Sequence, residues 1–251
     1  RAEGGNYESY HYPLCCTAAL NRILPWYVTH MWTATRDNGL AATAYGPCRV
    51  RALVGNRVPV VIDCKTDYPF VDTLELTVAP EKETAFPLSL RIPGWCKEPS
   101  LKVNGASVPV NKDRNGFARI CRTWKPGDTV SLRFPMEPVL ATGLDRAEGT
   151  AHDGSHHAVK LFLPEDNPVP GRPYATVSYG PLLFALAIPD TTDANTPDPA
   201  AQWKYAIDTA NPEIRIEQNP MPACWDWPLA APLTATVNAM PDKGGRKPLK
   251  L

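Results

Sequence analysis

The chain has 251 residues, with 26 Lys and Arg against 26 Asp and Glu, so no net field exists to hold a nucleic-acid backbone or an anionic membrane. Hydrophobic residues make up 43% of it, which argues against disorder, and its 28 prolines, roughly twice average usage, favour many short strands with rigid turns. The longest apolar run, Pro181 to Pro189, is far shorter than the about 20 residues a spanning helix needs.

This length admits two domains or one large all-β domain, either of which buries a real core. Seven cysteines are an odd number, with no CxxC and no dense spacing, so they do not read as a disulfide framework. Most fit the role of small buried hydrophobes.

In chain order, Cys15 and Cys16 come first, immediately before a helical pattern. Free N–H groups and the dipole at a helix start favour an anion, so either thiol is a candidate for a lowered pKa; two adjacent buried cysteines are the plainer reading. The pair could share a soft metal such as zinc, but it supplies at most two of about four ligands. From Thr17 to about Arg36 the residues Leu20, Ile23, Leu24, Tyr27, Val28 and Met31 recur at three- and four-residue steps, which predicts an amphipathic helix with a kink at Pro25 and a stop at Asp37-Asn38-Gly39. Burying Leu20, Leu24, Val28 and Met31 is worth roughly 6–12 kcal/mol, so the helix needs either the sheet or a neighbour upstream of residue 1.

After Gly39 the period becomes two. Leu74, Leu76 and Val78 alternate with Thr73, Glu75 and Thr77, and Val130, Leu132 and Phe134 alternate with Ser131 and Arg133. Asn104-Gly105 reads as a two-residue hairpin turn and Lys125-Pro126-Gly127-Asp128 as a type II turn. This succession predicts antiparallel sandwiches rather than a parallel sheet. Beyond Gly143, a loop with His152, His156 and His157 leads to strand-like runs at 157–163 and 174–188, an exposed loop at 189–201, and weaker strands at 204–207, 213–217 and 233–237. The three histidines lie among Asp145, Glu148 and Asp153, as in a solvated loop. Trp95, Trp124, Trp203, Trp225 and Trp227 could stack on sugars but more often serve as packing.

Several of these segments carry a resemblance. Cys15-Cys16-Thr17-Ala18, Arg22, Leu24-Pro25-Trp26-Tyr27-Val28, His30-Met31-Trp32, Gly39-Leu40-Ala41-Ala42 and Tyr45-Gly46-Pro47 resemble glycoside hydrolase family 127, the β-L-arabinofuranosidase-like enzymes. So do Thr66-Asp67-Tyr68-Pro69-Phe70, Leu90-Arg91-Ile92-Pro93-Gly94-Trp95, Val103-Asn104-Gly105, Trp124-Lys125-Pro126-Gly127-Asp128, Tyr179-Gly180-Pro181-Leu182 and Trp225-Asp226-Trp227-Pro228, in that order.

The resemblance implies a mainly β chain: antiparallel β-sandwich domains preceded by one helix left over from an α/α barrel. Residues 1–38 would be the end of the barrel, 39–142 a first sandwich and 143–251 a second, truncated one, the whole being a C-terminal fragment. By position Cys15 inherits the role of nucleophile and zinc ligand, and Cys16 that of zinc ligand. The other zinc ligands, a glutamate and a third cysteine, and the glutamate acid/base lie upstream in the family. The implied partner is an arabinofuranose-containing glycan, with no nucleic acid or membrane, and the fragment alone is expected to be inactive. One departure stands out, since an asparagine expected three places after the second cysteine is here Ala19, with Asn21 two residues on.

Two rival readings are a noncatalytic sandwich module that binds carbohydrate or supports a homodimer, and another cysteine-dependent enzyme with Cys15 activated by His11 or His30. Bacterial cytoplasm and periplasm both remain open.

Overall fold

A computed structural model describes residues 23–145, 172–187, 205–224, 230–241, 245 and 247–251. The chain divides into two compact units, the first running essentially to Glu137 and the second beginning at Pro138. Among the described residues the molecule is mainly β, with helix only at 23–29.

The first unit is a two-sheet sandwich. One sheet has the order β1-β2-β6-β9, from β1 (Trp32–Ala34), β2 (Leu40–Ala42), β6 (Thr84–Arg91) and β9 (Phe117–Trp124). The other has the order β3-β4-β5-β10-β7-β8, from β3 (Cys48–Val54), β4 (Val58–Lys65), β5 (Thr73–Pro80), β10 (Asp128–Arg133), β7 (Ser100–Val103) and β8 (Ala106–Val108). The strand pairings of this unit are antiparallel except that of β2 with β6 in the four-stranded sheet, which run parallel with Leu40 opposite Leu88.

The period-two pattern explains how the two sheets meet. In β5 the residues Leu74, Leu76 and Val78 are buried, and β10 sets Val130 opposite Leu76 and Leu132 opposite Leu74. Leu88, Leu90, Ile120 and Trp124 of the first sheet join the same core as these residues of the second. Each such side chain, taken out of water, contributes about 1.5–3 kcal/mol, so this layer dominates the stability of the unit.

Turn chemistry fixes the registers. Asn104 (φ 50°) and Gly105 (φ 79°) both take the left-handed conformation that a tight β7–β8 hairpin requires. Gly127 (φ 90°) supplies the positive φ of a type II turn closed by Asp128 N–H donating to the Lys125 carbonyl at 3.1 Å. Both turns agree with the reading of the sequence.

The helical expectation needs correction at its C-terminal end. The helix stops at residue 29, and Trp32–Ala34 forms a strand with Trp32 opposite Ala42 and Ala34 opposite Leu40. Asp37-Asn38-Gly39 is therefore the turn of a hairpin, with Asn38 at φ 58° and the Thr35 N–H donating to the Gly39 carbonyl at 3.0 Å. Pairing with a sheet edge outweighs the weak helical preference of Trp32, Thr33 and Thr35.

The second unit contains a sheet of order β11-β12-β13, from β11 (Pro138–Asp145), β12 (Arg172–Tyr179) and β13 (Leu182–Leu183). Its other sheet is built on β16 (Leu233–Pro241), paired with β14 (Tyr205–Ile207), β15 (Arg215–Gln218) and β17 (Lys247–Lys250). The run at 174–188, expected as one strand, is interrupted by a turn at Gly180 (φ 57°). Val177, Ala235, Val237, Ala239 and Leu249 form its core, in which two of the five side chains are a single methyl group. The expected strand at 157–163 and the loop at 189–201 lie outside the described residues.

Candidate functional site

Cys15 and Cys16, the candidate nucleophile and metal ligands, lie outside the described residues, as do His11, Tyr12, Ala19, Asn21, His152, His156, His157, Trp203, Trp225 and Trp227. What the structure does describe is the segment immediately downstream. At 23–29 the helix leaves Ile23, Leu24, Trp26, Tyr27 and Val28 exposed, between 47% and 63%. An apolar helix with so much surface in water is not stabilised by the sandwich that follows it.

His30 closes this helix. Its ring stacks on Trp26 with centroids 4.3 Å apart, and its Nδ1 lies 2.7 Å from the Trp26 carbonyl. A carbonyl only accepts, so this contact places a proton on Nδ1. The chain then turns through Met31, whose carbonyl receives the Thr43 N–H at 2.8 Å, into the first hairpin.

The motif residues of the first unit turn out to be partners of one another. Tyr45 is buried and donates its hydroxyl to the Arg91 carbonyl at 2.8 Å, joining Tyr45-Gly46-Pro47 to Leu90–Trp95. Tyr45, Tyr68 and Trp95 each pack a ring against Phe134, with centroids 5.6, 6.2 and 6.1 Å away. Thr66 accepts the Tyr68 N–H at 2.9 Å and donates to the Thr73 carbonyl at 2.7 Å, which shapes the loop containing the cis Tyr68–Pro69 bond. Burial drives the Tyr45 hydroxyl well above its ordinary pKa, and burial pushes Tyr68 up to about 12, so both stay protonated at neutral pH.

Trp124 is fully buried, with its indole N–H donating to the Phe86 carbonyl at 3.0 Å. It is a core residue rather than a sugar platform. Trp95 is half-buried and turned edge-on to Phe134. Asn104 and Asp128, from the other two motifs, hydrogen-bond at 2.9 Å. These residues therefore carry packing and turn geometry, not chemistry, a distinction that motif spacing alone does not supply.

Among the described residues no group of three or more His, Cys, Asp or Glu is arranged to hold a metal ion. The second unit contains a cavity of about 1160 Å³ lined by Leu140, Tyr174, Val177, Phe184, Tyr205 and Leu249, among others. No carboxylate side chain, histidine or cysteine is among its described lining, whereas glycosidic cleavage uses a pair of carboxyl groups.

A pairing not singled out in the sequence is that of Cys48 with Cys64, which stand directly opposite each other on β3 and β4. Their separation in the sequence gives no sign of it. Only the hairpin register, set by the turn at Gly55-Asn56-Arg57, brings them together.

Comparison with known proteins places this architecture. Residues 39–136 match the sequence model of the "Beta-L-arabinofuranosidase, GH127 middle domain". No curated protein sequence matches the chain. Among solved structures, it is similar to a GH127 β-L-arabinofuranosidase from Geobacillus stearothermophilus T6, with 20% identity and a TM-score of 0.59, covering 96% of this chain and 35% of that one. It is also similar to a glycoside hydrolase at 19% identity and TM-score 0.63, covering 100% of this chain and 39% of that one. A GH127 β-arabinofuranosidase gives 16% identity and TM-score 0.60, with 99% and 37% covered. At these identities the likeness is one of fold, and the chain spans little more than a third of the length of each structure. The helix-then-sandwich order and the interlocking motifs agree with the match of residues 39–136 to the GH127 middle-domain model.

Proposed function

We propose that this chain is the C-terminal part of a retaining glycoside hydrolase acting on arabinofuranose-containing glycans, with Cys15 as nucleophile and Cys15 and Cys16 as ligands of a zinc ion. The observation that supports the reading is the match of residues 39–136 to the family's middle-domain model, with the adjacent cysteine pair lying before it in the sequence.

The donor set fits such an ion in kind and falls short in number. Thiolates suit zinc, and two of them fill half of a tetrahedral shell. The described residues offer no cluster to complete it, and the reading takes the remaining ligands and the carboxylic acid from residues other than these. Bound zinc would hold its thiol ligands deprotonated at neutral pH, where a free cysteine with pKa near 8.5 is only about a few per cent thiolate.

The Cys15 sulfur attacks the anomeric carbon and the glycosidic oxygen departs with a proton from the acid. Water, deprotonated by the same carboxylate, then displaces the sulfur from the sugar, and two inversions leave the configuration retained. Cys16, one residue on, serves to position its neighbour rather than to react.

The test is turnover of an aryl arabinofuranoside by the complete polypeptide. Cys15→Ser is expected to abolish it, and wild-type rates in that variant would remove the nucleophile assignment. The 251-residue chain by itself is expected to show no turnover.

A further inference from the structure

Cys48 opens β3, the edge strand of the six-stranded sheet, and Cys64 lies one residue before the end of β4. The two are exact partners in the antiparallel register, so their side chains leave the same face of the sheet. Directly opposed residues in such a ladder have Cα atoms about 4.5–5.5 Å apart, inside the roughly 4.4–6.8 Å range of disulfides. Both thiols are free.

Their environments differ in a useful way. Cys64 is 4% exposed and faces the core, flanked across the ladder by buried Leu76, whereas Cys48 is only partly buried at the sheet edge. The Cys64 S–H hydrogen-bonds the Cys48 sulfur, which against the cost of burial brings the Cys48 thiol down to about 7, helped by a hydrogen bond from Trp32 and opposed by the charge of Asp63. The same shared proton, with burial and the Cys48 charge, raises Cys64. Asp63 points to the other face and is ion-paired with Arg49 at 2.6 Å. The backbone of Gly46 also hydrogen-bonds Cys64, and Tyr45 stands near it as a neutral phenol. An accessible thiol poised to ionise beside a buried second thiol is the arrangement of a reactive cysteine with its resolving partner.

We propose that Cys48 and Cys64 form a reversible oxidative modification site, in which a peroxide closes a cross-strand disulfide between the edge strand and its neighbour. The Cys48 thiolate attacks one oxygen of the peroxide: an S–O bond forms, the O–O bond breaks, and the departing hydroxide takes a proton as water. The Cys64 sulfur then attacks the Cys48 sulfur; the S–S bond forms, the S–O bond breaks, and the Cys64 proton leaves with that oxygen as a second water. Two thiols give up two electrons and the peroxide accepts them. The chemistry uses neither Cys15 nor Cys16, so it stands apart from the glycosidase reading.

The experiment treats the wild-type 251-residue chain with hydrogen peroxide at neutral pH, blocks the remaining thiols, digests the protein and maps linked peptides by mass spectrometry. The expected result is a Cys48–Cys64 linked peptide, a loss of two of the seven titratable thiols, and full recovery with dithiothreitol. In Cys64→Ser, a dione probe is expected to label Cys48 as sulfenic acid; in Cys48→Ser, Cys64 is expected to stay reduced. Oxidation that links other cysteines first, or that leaves Cys48 and Cys64 as free thiols, would overturn the proposal, and because that result is read on the wild-type chain it does not depend on any variant folding.

Discussion

The side-chain amide of Asn104 donates to the carboxylate of Asp128 at 2.9 Å, while its carbonyl oxygen accepts the Thr129 N–H at 2.8 Å. One side chain thus ties the β7–β8 hairpin to the turn before β10, and does so from a left-handed backbone (φ 50°) that asparagine tolerates better than most residues. Asn104→Ala is expected to cost about 1 kcal/mol, because it removes side-chain hydrogen bonds to Asp128 and Thr129 as well as a turn former. Urea unfolding of the two proteins side by side measures it.

Asp128 should make stability depend on acid. Burial pushes its carboxyl up, but the Lys125 N–H, the Asn104 amide and the charges of Arg122 and Lys125 together bring it below the ordinary value. A folded-state pKa below the unfolded one means that the unfolded chain takes up the proton first as pH falls. The contribution is then present above about pH 4 and is lost as pH drops through the folded value. Wild type is expected to exceed Asp128→Asn in stability at pH 7, with the gap closing toward pH 3; a gap constant across that range would contradict it.

Gly39 should tolerate no side chain. A Cβ there would lie 2.2 Å from the Pro87 carbonyl oxygen and 2.5 Å from its ring, where the first hairpin meets β6. Overpacking of this kind costs about 1–3 kcal/mol, and backbone is the obstacle here, so Gly39→Ala is expected at the upper end. Gly94, with nothing within 4 Å of its virtual Cβ, is the matched control and should change little in a thermal melt.

Tyr45 should report on the aromatic cluster from the alkaline side. Its burial favours the neutral phenol, so the folded pKa exceeds the unfolded value near 10. That stabilisation is complete below about pH 10 and is lost as the pH rises further, since only the unfolded chain releases the proton readily. Tyrosinate absorbance from Tyr45, identified by difference against Tyr45→Phe, is expected to appear together with unfolding. Its appearance in folded protein near pH 10 would count against the burial argument. Loss of the bond to the Arg91 carbonyl should also lower the stability of Tyr45→Phe by about 1 kcal/mol at neutral pH.

For the complete polypeptide, the proposed role of Cys16 is tested by metal content. Cys16→Ala is expected to lower bound zinc and, with it, turnover, and supplementing the assay with zinc should restore part of the loss. An unchanged zinc stoichiometry would take Cys16 out of the ligand set.

Much of the first unit was legible because its signals are local. The alternation in Leu74–Val78 and Val130–Phe134, the Asn104-Gly105 pair and the Pro126-Gly127 turn each depend on a few neighbouring residues, and the structure has them as read. What the sequence concealed depends on distant partners. Trp32–Ala34 carries a helical spacing but pairs with β2, and the Cys48–Cys64 contact exists only once a hairpin register is set. The candidate site was legible only through resemblance: spacing said little about Cys15 and Cys16 beyond their place before a helix, and they lie outside the described residues. The other resemblance motifs hold Tyr45 to Arg91 and Asn104 to Asp128, which is why they mark the family without naming its chemistry.

The lone parallel pairing of the sandwich sets an order of assembly. Leu40 meets its partner only after Leu88 has been made, and the intervening hairpins of β3, β4 and β5 must already be out of the way. On a ribosome the β1–β2 hairpin therefore waits with Leu40, Ala41 and Ala42 uncovered until β6 emerges, a stretch of synthesis during which that edge is open to wrong partners. A chain interrupted between Pro80 and Arg91 would keep its local hairpins yet have no second sheet on which to close.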